Sequence, residues 1–212
     1  MLEAREVICT RGERPLFKPV SFRLEPGQIL QIRGPNGRGK TTLLRALAGL
    51  SWFSDGAIGW KGEPIQHLGD DYRKDLLYLG HLNGLHGELT PLENLRFAAA
   101  LAVGDSRLAT AEAALATVGL GVVGDLGTRY LSQGQKRRVA LARLALNQAP
   151  LWLLDEPFAA LDVRSVEVLA ATLGTHLARG GLVVLISHQE VAIAGDRQDL
   201  TLEAPQRSRV VA

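Results

Sequence analysis

Residues 34–41 read Gly-Pro-Asn-Gly-Arg-Gly-Lys-Thr, a run that matches the phosphate-binding loop pattern GxxxxGK[ST]. Such a loop needs a strand before it and a helix after it. The run Ile29-Leu30-Gln31-Ile32-Arg33 predicts the strand, and Leu43, Leu44, Leu47 and Leu50 recur at helical spacing behind it. The glycines let backbone N–H groups close around phosphate oxygens, and the helix N-terminus adds positive potential there. Gly34, Pro35, Asn36, Gly37, Arg38, Gly39, Lys40, Thr41 and Thr42 are therefore the expected nucleotide-binding residues. Lys40 would reach the β- and γ-phosphates, and the Thr41 hydroxyl would ligate Mg²⁺.

Two further apolar runs, Leu151–Leu154 and Leu182–Ile186, suit strands buried on both faces. Val166, Leu169, Leu173 and Leu177 mark an amphipathic helix between them, starting near Asp162. Strand, helix, strand in this order implies a parallel α/β core. The first run leads into Asp155-Glu156-Pro157. A carboxylate at the end of a buried strand lies at the edge of a parallel sheet where ligands bind. Asp155 is the expected second Mg²⁺ residue, and Glu156 the group that polarises the attacking water.

Residues 82–148 read differently. Thr90-Pro91-Leu92-Glu93 is a capping box with proline at the first helical position, predicting a helix to about Ala102, broken at Gly104-Asp105-Ser106. Leu108, Ala111, Leu115 and Val118 make a second stripe ended by Gly119, and a third helix is expected from Ser132 to Asn147. With no convincing strand, this stretch reads as a helical lobe inserted into one unit spanning 1–212, whose core is 1–81 and 149–212.

Composition narrows the class. Among 212 residues, 46% are hydrophobic and 22% charged, which fits a folded globular chain and excludes disorder or collagen. A net charge of +2 argues against nucleic acid as a partner. Cys9 is the only cysteine, so no internal disulfide or cysteine-based zinc site is available. No apolar run approaches the length of a membrane span, and Met-Leu-Glu-Ala-Arg-Glu-Val does not read as a signal peptide. Direct membrane insertion is not expected, and any membrane association would come through a partner.

Leu131-Ser132-Gln133-Gly134-Gln135 precedes the basic helix Lys136–Arg143 and resembles the LSGGQ signature of ABC ATPases, with Gln133 at the third-position glycine. Phe158-Ala159-Ala160-Leu161-Asp162 resembles that family's D-loop, and Ile186-Ser187-His188 its switch histidine. On these ordered motifs the chain is identified as a member of the ABC ATPases. The resemblance implies an α/β P-loop NTPase fold with a RecA-like mixed-sheet core and an inserted helical lobe. It implies hydrolysis of ATP with Mg²⁺ in a head-to-tail dimer, where Ser132, Gln133, Gly134 and Gln135 of one copy complete the phosphate site of the second. His188 would contact the γ-phosphate and Asp162 would couple the two sites. Lys40, Asp155, Glu156 and His188 are all present, which argues against a cassette that binds without turnover.

Besides Gln133, three positions depart from the family pattern. Arg11 stands where an aromatic ring usually stacks on adenine, with Phe17 six residues on; its guanidinium plane could take that role. His81, in Leu77-Tyr78-Leu79-Gly80-His81, occupies the place of the glutamine that senses Mg²⁺, water and the transporter. Arg38 replaces a small residue and is expected to face solvent. Lys136–Arg138 is expected to be a solvated helix face, and His67, His86 and His176 ordinary surface or packing residues.

Tyr78–His81, Glu88–Phe97 and Leu131–Arg138 together look like the ATP-binding subunit of the haem exporter of bacterial cytochrome c maturation. That resemblance implies a peripheral subunit on the cytoplasmic face of the inner membrane. It would dock on an integral permease beside a haem-handling membrane partner and drive release of a haem-loaded chaperone. Leu82, Leu85, Leu89, Leu92, Leu95 and Phe97 are the expected docking groove. The alternative is a soluble ABC ATPase of a cytosolic assembly system of the iron–sulfur cluster type, which shares the same motifs. His81 and the LSQGQ form weigh against it.

Overall fold

A computed structural model describes residues 1–101, 108–121 and 126–205. The expected break at Gly104-Asp105-Ser106 lies outside them. The chain begins with β1 (Leu2–Ile8), a small hairpin of β2 (Thr10–Arg11) and β3 (Arg14–Pro15), β4 (Val20–Leu24), β5 (Gln28–Arg33) and α1 (Lys40–Leu47). β6 (Asp55–Trp60), β7 (Glu63–Pro64), the short helices α2 (Ile65–Leu68) and α3 (Asp70–Lys74), and β8 (Leu76–Leu79) follow. Then come α4 (Pro91–Leu101), α5 (Leu108–Thr117), α6 (Gln133–Leu146), β9 (Leu151–Asp155), α7 (Val163–Ala178), β10 (Leu182–Ile186) and β11 (Asp196–Thr201).

The mixed core is built from two main sheets, one parallel and one antiparallel, beside the β2–β3 hairpin. The first, in the order β11-β5-β10-β9-β8, has five strands, all parallel. β9 and β10 are buried at every residue, as their unbroken apolar sequences require. The second, β4-β1-β6-β7, is antiparallel. β1 carries the reason: Leu2 and Ala4 alternate inward, then a register shift between Ala4 and Val7 restores Val7 to the core. The shift leaves Glu6 at φ 48°. Gly56 is required opposite it, because a Cβ there would lie 2.5 Å from the carbonyl oxygens of Arg5 and Glu6.

The two sheets enclose one core with α1, in which Leu2, Phe17, Leu43, Leu47, Ile58, Trp60, Leu153 and Val184 meet. The far face of the parallel sheet packs on α6 and α7 through Trp152, Leu154, Leu169, Leu173, Leu177 and Leu185. A third cluster joins α4, α5 and α6 around Leu95, Ala114, Leu115, Leu131, Val139 and Ala142.

α6 is thus buried on two sides. Val139 and Ala142 face the helical cluster, while Ala140, Leu141 and Leu144 face the sheet. Extending the second set back one turn reaches Arg137, so the spacing 137, 140, 141, 144 puts a guanidinium on the core stripe. Arg137 is 5% exposed. The expected solvated basic face is therefore corrected at its middle residue.

Candidate active site

The register of the parallel sheet sets the site. Ile32 of β5 pairs with Ile186 of β10, and Ile186 pairs with Asp155 of β9. The three strands end level, so Gly34, Ser187 and Glu156 all emerge at one edge, the carboxyl edge where open α/β sheets bind ligands.

Between β5 and α1 the loop passes through Gly34, Gly37 and Gly39 at φ 140°, 74° and 94°. Gly39 is also sterically obligatory. A Cβ there would lie 2.9 Å from Leu16 Cβ and 3.1 Å from Phe17 Cδ1. Phe17 is fully buried beneath this turn and is unavailable as a base platform. Arg11 lies exposed in the β2–β3 hairpin, whose continuation, Leu16 and Phe17, packs under Gly39. Arg38 is half-buried rather than solvent-facing, and its Nε has no hydrogen-bond partner among the described residues.

Lys40 is 9% exposed, and its Nζ donates to the carbonyl oxygens of Gly34 at 2.8 Å and Pro35 at 3.3 Å. The ammonium is held across the mouth of the loop. Thr41 Oγ1 donates to Asp155 Oδ2 at 2.8 Å, and Asp155 is 2% exposed. This all-oxygen pair fits Mg²⁺, a hard cation that takes its remaining ligands from water and substrate phosphate. No cluster of three or more His, Cys, Asp or Glu residues suited to a metal occurs among the described residues. Thr42 follows in the first turn of α1.

Glu156 stands just beyond β9 in the left-handed region, at φ 49°. For a residue with a Cβ this costs about 1–2 kcal/mol, and several contacts hold it. Its N–H donates to the Ile186 carbonyl at 2.9 Å. Its carboxylate meets His188 twice: Oε1 lies 3.3 Å from Nε2, and Oε2 accepts from the backbone N–H at 3.3 Å. His188 is 58% exposed at its side chain and Glu156 21%, so the pair opens to solvent from a supported base.

Arg137 supplies the rest of that support. Nη2 donates to the carbonyls of Asp155 and Glu156, both at 2.8 Å, and Nε to that of Pro157 at 3.4 Å. Nη1 donates to the Gly80 carbonyl at 3.2 Å and to Asn83 Oδ1 at 3.1 Å. Burial pulls the guanidinium pKa down, while Asp155 and Glu156 push it back up. Gln31 is a second buried polar group outside the sequence reading; its amide donates to the Ser187 carbonyl at 3.2 Å and steadies the turn before His188. Its signal was a lone polar residue inside an apolar strand.

At the other end of α6, Ser132 is the N-cap in a complete capping box. Its Oγ accepts from the Gln135 N–H at 3.2 Å, and Gln135 Oε1 accepts from the Ser132 N–H at 2.9 Å. The hydroxyl proton stays free to donate outward. Gln133 is exposed, and Gly134 presses on the turn that precedes α7: a Cβ there would be 2.9 Å from the Ala160 carbonyl. Asp162 caps α7 by accepting from the Ser165 N–H at 2.8 Å, a bond that holds its carboxyl below the usual range. Gly134 thus lies against Ala160, two residues before Asp162. His81 is exposed in the loop after β8, directly beside Gly80, whose carbonyl Arg137 holds.

Of the expected docking residues, Leu82 and Phe97 are 85% and 61% exposed. Leu95 is fully buried, and Leu85 and Leu92 pack against the helical cluster. No helix among the described residues is long and apolar enough to cross a membrane.

The phosphate loop, the Thr41–Asp155 pair and the Glu156–His188 pair lie together on one sheet edge. The family model described as ABC transporter matches residues 17–159, and the chain belongs to that family: it is an ABC ATPase. It is 55% identical over 95% of its length to the whole of the "Cytochrome c biogenesis ATP-binding export protein CcmA" of Dechloromonas aromatica (strain RCB). The protein of the same name from Nitrosomonas europaea is 49% identical, with 92% of this chain and 91% of that one covered. Among solved structures, the dimeric post-hydrolysis state of the ATP-binding cassette MJ0796 bound to ADP and Pi superposes with a TM-score of 0.78 at 27% identity, covering 89% of this chain and 88% of that one. Relatives named for export do not favour the soluble assembly alternative.

Proposed function

We propose that this chain is the ATP-hydrolysing subunit of a cytochrome c biogenesis exporter. The carrying observation is 55% identity over 95% of the chain to a relative bearing that name. ATP binds with its β- and γ-phosphates in the loop 34–42, where the Lys40 ammonium exchanges the Gly34 and Pro35 carbonyls for phosphate oxygens. Thr41 and Asp155 would hold Mg²⁺, which would supply charge neutralisation for the phosphates. Glu156 accepts a proton from water as it attacks the γ-phosphorus in line. The bond from that phosphorus to the bridging oxygen breaks, giving ADP and phosphate. His188, turned toward Glu156, contacts the γ-phosphate. Arg11 lies against the base.

Two copies work head to tail. The free Ser132 hydroxyl proton and the Gln133–Gln135 start of α6 complete the second copy's phosphate site. Asp162, two residues beyond Ala160, couples the two sites. The unit is a single cassette, with core 1–81 and 149–212 and lobe 82–148. His81 and the exposed Leu82 face an integral permease on the cytoplasmic side of the inner membrane, beside a haem-handling partner.

Affinity capture from solubilised membranes of the source bacterium, read by mass spectrometry, tests this assignment. Recovery of a polytopic permease with cytochrome c maturation components supports it. Recovery of a different permease overturns the exporter branch, and soluble partners alone overturn the transporter role.

A further inference from the structure

The buried guanidinium of Arg137 is the most heavily engaged side chain near the site, yet it makes no hydrogen bond to the phosphate loop and meets the ligating Asp155 only at its backbone carbonyl. Its three nitrogens reach the carbonyls of three consecutive residues, Asp155, Glu156 and Pro157, and, from the opposite side, Gly80 and Asn83. Three successive carbonyls converge on one cation only because Glu156 adopts its left-handed backbone, at φ 49°. The same backbone turn aims the Glu156 carboxylate at His188. A planar fork with fixed N–H directions can hold both sides at once, whereas an ammonium is a single point.

We propose that Arg137 is a positioning residue for water activation: it holds the Glu156 turn in its productive conformation and ties that turn to the loop 80–83. The proposal rests on Glu156 being the base. Loop and carboxylate then move as one body. A displacement of Gly80 and Asn83 pulls on the cation that anchors Glu156, giving the segment around His81 a direct mechanical route to the chemistry.

Arg137→Gln, which leaves no buried charge unpaired, and Arg137→Lys, which keeps the charge but loses the fork, are compared as full-length chains by steady-state ATPase kinetics and binding of a fluorescent ATP analogue. Both variants are expected to lose roughly 10- to 100-fold in kcat, the scale of an ångström-level misplacement of a reacting group, with KM and analogue affinity within about twofold of wild type. Combining either with Glu156→Gln is expected to cost no more than Glu156→Gln alone, since the two act through one carboxylate. Wild-type kcat in Arg137→Gln, additive losses in the double variant, or analogue affinity lost together with kcat in both variants each overturns the proposal. Wild-type turnover in Glu156→Gln instead overturns the base assignment, and the proposal with it.

Discussion

The Thr41 hydroxyl donates to Asp155 Oδ2 at 2.8 Å across a sequence separation of 114 residues. One residue opens a helix and the other closes a strand. They meet because Ile32, Ile186 and Asp155 share a level in the parallel sheet. Asp155→Asn keeps the size of the side chain but weakens the cation site. It is expected to lower turnover about 10²-fold or more and to raise the Mg²⁺ concentration for half-maximal rate, as an Mg²⁺ titration of ATPase activity would show.

Glu156→Gln removes the proposed base while retaining an amide that can face His188. Its kcat is expected to fall about 10²- to 10⁴-fold, the usual worth of general-base catalysis. With ATP and Mg²⁺ the variant should elute as a dimer in size-exclusion chromatography. A monomer turning over at the wild-type rate contradicts both the base and the dimer.

Leu82→Asp and Leu85→Asp separate docking from folding. Leu82 is 85% exposed, so its change is expected to leave the melting temperature and ATP binding intact while abolishing co-purification with the permease. Leu85 packs on the helical cluster, and a carboxylate there is expected to cost about 1–3 kcal/mol of stability. A melting curve of each variant distinguishes them.

Near the amino-terminal ends of β9 and β10, His176 of α7 stacks on Trp152 of β9, with ring centroids 3.7 Å apart and planes 8° from parallel. Gly181 accommodates the imidazole; a Cβ there would lie 2.2 Å from Nε2. Burial lowers the His176 pKa, opposed by the backbone at Leu182 and Pro150. The unfolded chain therefore binds the proton more readily than the folded one. Stability is expected to be fully present above the ordinary histidine range and to fall as pH drops through it. His176→Phe keeps the stack without the titration, and should flatten the slope of melting temperature between about pH 7.5 and pH 5.5, where unpaired histidines titrate.

Local pattern was enough for the elements that hold the candidate site. Alternation of glycine, lysine and threonine between an apolar strand and a leucine-spaced helix is itself a phosphate loop. Likewise Ser132 and Gln135 are a capping box by spacing, and the helices beginning at Pro91, Gln133 and Val163 begin where their caps are written. The antiparallel sheet was not legible, because β1 contains a bulge at Glu6 that interrupts its alternation and β7 is two residues long. Arg137 was misread for a different reason. Its neighbours Lys136 and Arg138 are also basic, and charge hides the 137, 140, 141, 144 stripe unless the buried side of α6 is already known.

Residue types and spacing alone determined the outline of the candidate site: which glycines must bend, which lysine lies beside them, which carboxylates end a buried strand. These depend on backbone conformations and hydrogen bonds that span a few residues. Tertiary structure alone decided which distant groups support them. Gln31 on Ser187, Phe17 beneath Gly39, and Arg137 across Gly80, Asn83 and the Glu156 turn are contacts between separate elements. Their partners are set by strand register and by the two-sided burial of α6, and neither is written in any one segment of the chain.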